Sequence, residues 1–153
     1  MQIEVITFSK PKDDYMAEAE GEYLKRLKST MPIKITLLSQ SKLKDKAAVL
    51  ADEAKTLLSH LKSNAYLIIL DEYGTEMTSQ QFAKLIESHR LKSTPDLTFA
   101  IGGPYGWGDE VRKRANATFS LSKLTFPAHV ARFLLIEQLY RAESILSGHP
   151  YHK

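Results

Sequence analysis

The residues at 148–153, GHPYHK, place two imidazoles, a phenol and an ammonium group side by side. An imidazole takes up or releases a proton near neutral pH. An aromatic ring can stack on an unpaired nucleobase while a lysine pairs with phosphate, as single-stranded RNA readers do. His149, Tyr151, His152 and Lys153 therefore form a candidate substrate-handling set. The bland alternative is a frayed end, since the termini of a domain are normally its least ordered part.

Other chemistries are poorly served. His60, His89 and His129 lie elsewhere, without an H-E-x-x-H motif or a carboxylate cluster, so no metal is expected. There is no G-x-S-x-G elbow for a serine nucleophile. The chain has no cysteine, which removes thiol nucleophiles, disulfides, cysteine-ligated zinc and iron–sulfur clusters.

A second candidate is the glycine-rich run IGGPYGWGD at 101–109, between an apolar strand and a helical pattern. Ligands in open α/β sheets bind at the carboxyl ends of strands, where this run falls. Gly102, Gly103, Gly106 and Gly108 fit neither G-x-G-x-x-G nor a P-loop, so an ordinary turn and a ligand loop both stand. The run LSKLTF at 121–126 reads as extended chain that could offer backbone groups and apolar side chains to a flat ligand.

The elements that must position these groups alternate along the chain. Strand patterns at 3–8, 33–39, 65–70, 96–101 and 117–126 are separated by helical patterns at 13–29, 42–62, 78–91 and 109–115. The stripe Leu43, Ala47, Leu50, Ala54, Leu57, Leu58 and Leu61 marks the second helix, and Thr78 with Gln81 has capping-box spacing. Alternation of this kind predicts an α/β domain with a mainly parallel sheet flanked by helices. Pro127 opens a last helix whose apolar residues point all round its axis. Such a helix is either central to the core or one side of a subunit interface, with Leu135 and Leu139 at the contact. With 153 residues, the chain is expected to form one domain spanning 1–153. Net charge is +3, compatible with a nucleic-acid partner. The amino terminus lacks signal-peptide features and no apolar run would cross a bilayer, so a cytoplasmic protein with no membrane partner is expected.

Taken together, FAIGGPYGWGDEVRKRA, SLSKLTFPAHVARFLLIEQLYRA and GHPYHK resemble one family, with EYLKRL and LIILDEYG also at matching positions. The chain is similar to the SPOUT-class ribosomal RNA large-subunit methyltransferase H family, which methylates N3 of a pseudouridine in 23S rRNA. That resemblance implies an α/β knot, a homodimer, and an S-adenosylmethionine site beside the interface. It implies cofactor contacts at Leu70, Gly102, Leu121, Ser122, Lys123, Leu124, Thr125 and Phe126, with Gly103 adjacent. The tail at 148–153 becomes a functional segment. His149, Tyr151, His152 and Arg132 become unranked catalytic candidates, Lys153 and Arg141 RNA contacts, and the substrate large-subunit rRNA within the ribosome.

Two departures from the family pattern stand out. Thr125-Phe126-Pro127-Ala128-His129 displaces by one place a histidine usual after the proline, about 100° around a helix. The first strand ends Thr7-Phe8-Ser9-Lys10, where Val-Gly-Lys is common. The rival reading is a non-catalytic RNA- or ribosome-binding module of the same fold; a Rossmann-type nucleotide enzyme is disfavoured by the missing phosphate loop. Since Gly148 can end the last helix, deleting the tail is expected to change thermal stability little.

Overall fold

The structure, a computed structural model, describes residues 1–8 and 15–153. The expected start of the first helix at Asp13 and the Ser9-Lys10 departure lie outside the described residues. Among the described residues ten elements alternate: β1 (Gln2–Phe8), α1 (Ala17–Leu27), β2 (Ile33–Leu38), α2 (Lys46–His60), β3 (Tyr66–Glu76), α3 (Ser79–Leu91), β4 (Asp96–Ile101), α4 (Asp109–Arg114), β5 (Ala117–Ser120) and α5 (Ala128–Ser147). The strands form one five-stranded sheet in the order β2-β1-β4-β3-β5, with every pairing parallel. The expected α/β class holds.

Alternation along the strands divides the core into two. Ile3 and Val5 of β1, with Phe99 and Ile101 of β4, face a layer made by α1, α3 and α5. Ile6 and Phe8, with Ala100, face Ala54 and Leu57 of α2 and Val111 of α4. A strand covered on both faces must be apolar at successive positions, which is why β1, β3 and β4 read as nearly unbroken apolar runs.

Local chemistry sets the helix starts. The Asp45 carboxylate accepts from Ala48 N–H at 3.0 Å, so α2 begins at Lys46 and the apolar Leu43 falls outside it, half exposed. The capping box of α3 forms as expected, Thr78 accepting from Gln81 N–H at 3.1 Å and Gln81 from Thr78 N–H at 2.8 Å.

Two strand expectations are corrected. β3 runs on to Glu76, with a register shift against β5 between Leu70 and Thr75. Gly74 permits this return: a Cβ there would sit 2.7 Å from Thr118 Cγ2 and 3.0 Å from the Phe119 backbone. The extended segment expected through Phe126 stops at Ser120. From Leu121 the chain leaves the sheet and turns, with Ser120 Oγ lying 2.9 Å from the Ser122 carbonyl and Ser122 Oγ accepting from Leu124 N–H at 3.1 Å. These local side-chain bonds take the place of the ladder bonds that a longer strand would make.

The all-round apolar α5 finds its partners inside the chain. Leu135, Ile136 and Leu139 are fully buried, and α1 and α3 both pack against the helix. No residue from 130 to 146 is exposed. Leu135 and Leu139 are thus core residues of one chain rather than contact residues of an interface. Arg132 is also in this core, 1 % exposed, with its Nε donating to Glu20 Oε2 at 2.7 Å.

Candidate functional site: a cleft at the strand ends and a tail along the last helix

The carboxyl ends of β1, β3 and β4 open into a cleft of about 760 Å³, the size range of small-molecule sites. Phe8, Leu70 and Ile101 form its floor, each the last apolar residue of its strand run. The glycine loop after β4 makes one wall and the turning segment after β5 makes the other. The first turn of α5, through Ala128, His129 and Ala131, closes the end.

The loop is held by its own backbone. Gly106 N–H donates to the Gly103 carbonyl at 3.0 Å, and Gly106 takes a positive φ of 70° that favours glycine. Gly102 fits closely for a different reason: a Cβ there would lie 3.0 Å from Gly106 O and 3.2 Å from Trp107 Cε2, so the loop would have to give way slightly. Trp107, buried beneath the loop, donates its indole N–H to the Leu70 carbonyl at 2.9 Å and so ties the loop to the end of β3. Opposite, Thr125 Oγ1 donates to Glu72 Oε2 at 2.7 Å, tying the turning segment to the same strand.

Of the residues expected to meet a cofactor, Leu70, Gly102, Gly103, Leu121, Ser122, Leu124, Thr125 and Phe126 all line this cleft; Lys123 is exposed and does not. The sequence reading missed Trp107, Asp71, Glu72, Arg112, Lys46 and Gln40, which also line it. The available signal was their place in quoted runs: Asp71 and Glu72 sit in LIILDEYG, Trp107 among the glycines. Arg112 Nη2 pairs with Asp71 Oδ2 at 2.5 Å, leaving Lys46 as a further cation beside the loop. His129 also lines the cleft, its ring 4.6 Å from that of Tyr15 and its Nε2 buried without a hydrogen-bond partner among the described residues.

The tail is elsewhere. Gly148, with φ of 73°, ends α5, and the N–H groups of Gly148 and His149 bond back to Ile145 and Ser144 carbonyls. The chain then folds back along α5. Tyr151 OH donates to Glu137 Oε1 at 3.0 Å and lies 3.1 Å from Tyr23 OH. Its ring meets Tyr140 edge-on at 4.7 Å, and the Arg141 guanidinium lies 4.7 Å from the ring centroid. Arg141 in turn bonds Glu137 and donates through Nη1 to His152 Nδ1 at 3.2 Å. Burial raises the Tyr151 phenol well above its ordinary pKa, with the Tyr23 and Glu137 hydrogen bonds adding to the effect.

None of His149, Tyr151, His152 or Lys153 lines the cleft of its own chain, and neither does Arg132 or Arg141. The tail is anchored on the Glu137–Arg141 stretch, at least six residues and so about 9 Å along the helix from Ala131. Within one chain the cleft and the tail, with its imidazoles and cations, therefore lie apart.

A family profile described as "Predicted SPOUT methyltransferase" matches residues 1–152. Among curated proteins, the chain is 38% identical over 159 residues to the ribosomal RNA large subunit methyltransferase H of Clostridium botulinum (strain Kyoto / Type A2), covering 100% of both chains. It is 39% identical over 156 residues to the protein of that name from Trichlorobacter lovleyi, covering 99% of each. The same name belongs to a Clostridium perfringens (strain 13 / Type A) protein that is 39% identical over its full length.

Proposed function

This chain belongs to the SPOUT methyltransferase family, and from that premise we propose that it transfers a methyl group from S-adenosylmethionine to N3 of a pseudouridine in large-subunit ribosomal RNA. The observation that carries the reading is the meeting of the glycine loop and the 121–126 segment around one cleft. The residues present fit the cofactor. Gly102 lines the cleft with backbone and no side chain, and Leu70, Leu121 and Phe126 offer apolar walls for adenine. When bound, S-adenosylmethionine supplies a methyl group already activated on its sulfonium. The knotted passage of the chain after β5 and the single functional domain over 1–153 belong to the same reading, as does a cytoplasmic, ribosomal setting.

The protein's task is then to hold N3 in line, exclude water and remove the N3 proton. The tail residues divide that work. Tyr151 keeps its phenolic proton and acts as a stacking and hydrogen-bonding ring. Arg141 is a donor only, so His152 Nδ1 must accept from it, which fixes the proton of the neutral ring on Nε2 as a donor. His149 has no side-chain hydrogen bond among the described residues and is assigned as the base for the N3 proton. Arg132, sealed in the core with Glu20, supports the start of α5 and touches no substrate.

Because the tail lies along α5 and away from its own chain's cleft, a homodimer in which the tail of one chain serves the cleft of the other completes the site. The exposed Tyr73, Leu124 and Tyr105 at the cleft rim provide apolar surface for that contact. A complementation assay tests the whole reading. Gly102→Val and a chain lacking residues 149–153 are each expected to be inactive on ribosomes, and their mixture to recover activity through dimers with one intact composite site. Failure of the wild-type chain to bind S-adenosylmethionine in calorimetry would leave the non-catalytic RNA-binding module instead.

A further inference from the structure

The glycine loop has a second face, turned away from the ligand, and one stripe of α2 rests against it. Lys46, Leu50 and Glu53 are spaced i, i+4 and i+7, which places them on one side of the helix. Each meets a different point of the loop. Lys46 Nζ lies 6.0 Å from the Tyr105 ring centroid. A Cβ on Gly108 would touch Leu50 Cβ at 3.4 Å, and a Cβ on Gly103 would lie only 2.7 Å from Glu53 Oε1. Leu50 and Glu53 do not themselves line the cleft.

Glu53 stands out among these. It is 4 % exposed, and burial pushes its carboxyl above the ordinary glutamate range. An apolar side chain of similar size would avoid that cost. What the carboxyl does instead is bridge the glycine loop and the 39–41 strap from behind the cleft. Oε1 packs against Gly103, while Oε2 accepts from the Ser41 backbone N–H at 3.2 Å. Ser41 follows Gln40, which lines the cleft and donates to the Phe8 carbonyl at 3.3 Å. One buried group thus sets the distance between the glycine turn and the 39–41 strap.

We propose that Glu53 is a positioning residue of the cofactor cleft, acting through Gly103 and Ser41 to hold the loop at the separation the ligand requires. The proposal rests on the cleft being the S-adenosylmethionine site. It separates from a merely structural role because loop geometry controls affinity, whereas a structural role would move stability alone.

Calorimetric titration of the full-length protein with S-adenosylmethionine, alongside melting curves and steady-state kinetics, tests it. Glu53→Ala is expected to weaken binding about tenfold, near the effect of one well-placed contact. The rate at saturating cofactor should fall much less than the affinity. Glu53→Gln keeps an oxygen for the Ser41 N–H and should restore most of the binding. Gly103→Ala should weaken binding by itself, and combining it with Glu53→Ala should cost less than the product of the two losses, since the methyl enters the vacated space. A folded Glu53→Ala protein with wild-type affinity, or strict multiplicativity in the double variant, overturns the proposal. If Glu53→Ala does not fold, Gly103→Ala decides: a folded protein with unchanged affinity sinks the idea. A wild-type chain that fails to bind overturns the cleft reading itself, and this inference with it.

Discussion

Tyr151 at the end of the chain donates its hydroxyl to Glu137, nearly three turns before the end of α5, across 3.0 Å. Glu137 also accepts from Arg141 Nε at 3.1 Å and Nη2 at 2.5 Å. One carboxylate therefore organises the whole terminal cluster, and the tail is an ordered part of the fold.

That arrangement revises the expectation that the tail could be removed without cost. Deleting residues 149–153 removes the Tyr151 bonds to Glu137 and Tyr23 and its packing on Tyr140. A loss of about 1–3 kcal/mol is expected, visible as a lower midpoint in urea unfolding. Methyl transfer to ribosomes should fall ~100-fold or more, with S-adenosylmethionine affinity unchanged by calorimetry.

Glu137→Ala should produce a milder form of the same defect. The tail stays present but loses its anchor, so turnover is expected to drop about tenfold to a hundredfold while cofactor affinity holds. Tyr151→Phe keeps the ring and removes only the hydroxyl, and should sit between this variant and wild type in a single-turnover assay.

Leu139→Glu should unfold the protein rather than merely separate subunits. The residue is fully buried within one chain, and an unpaired carboxylate there is expected to cost about 4 kcal/mol or more. Leu124→Glu, at a residue 69 % exposed, should leave the melting temperature nearly unchanged and weaken self-association in sedimentation equilibrium.

Gly102→Val tests the cleft wall. The added carbons would press on Gly106 O and the Trp107 ring, and the loop must shift to admit them. A rise in the dissociation constant of tenfold or more is expected, and an unaltered constant would remove the loop from the site.

Acid stability has a local source at the other end of the sheet. Burial alone would raise the Glu4 carboxyl, but hydrogen bonds from Thr36, His60 and Lys34 outweigh it and hold the group below its ordinary value. A carboxylate with a depressed folded pKa stabilises the fold above the unfolded value and loses that contribution as pH falls through the folded one. Glu4→Gln should therefore flatten the decline of thermal stability below about pH 4.5, the ordinary value for the group.

Much of this was legible from the chain alone, because the signals are local. Capping by Thr78 and Gln81, the apolar runs of β1, β3 and β4, the break at Pro127 and the stop at Gly148 depend on neighbours a few residues apart. The α/β class follows from their alternation, and IGGPYGWGD and LSKLTF pointed to residues that the structure gathers around one cleft. Tertiary structure decided the rest. Whether α5 buries its apolar surface against its own chain or another depends on where α1 and α3 pack, which no periodicity encodes. Arg132 looked available because sequence shows a charge but not the Glu20 carboxylate that meets it from 112 residues away. The same is true of Glu53, an unremarkable helix residue until the loop after β4 is folded onto it. Above all, the cleft and the tail read as one site in sequence, whereas the direction of a 20-residue helix holds them apart.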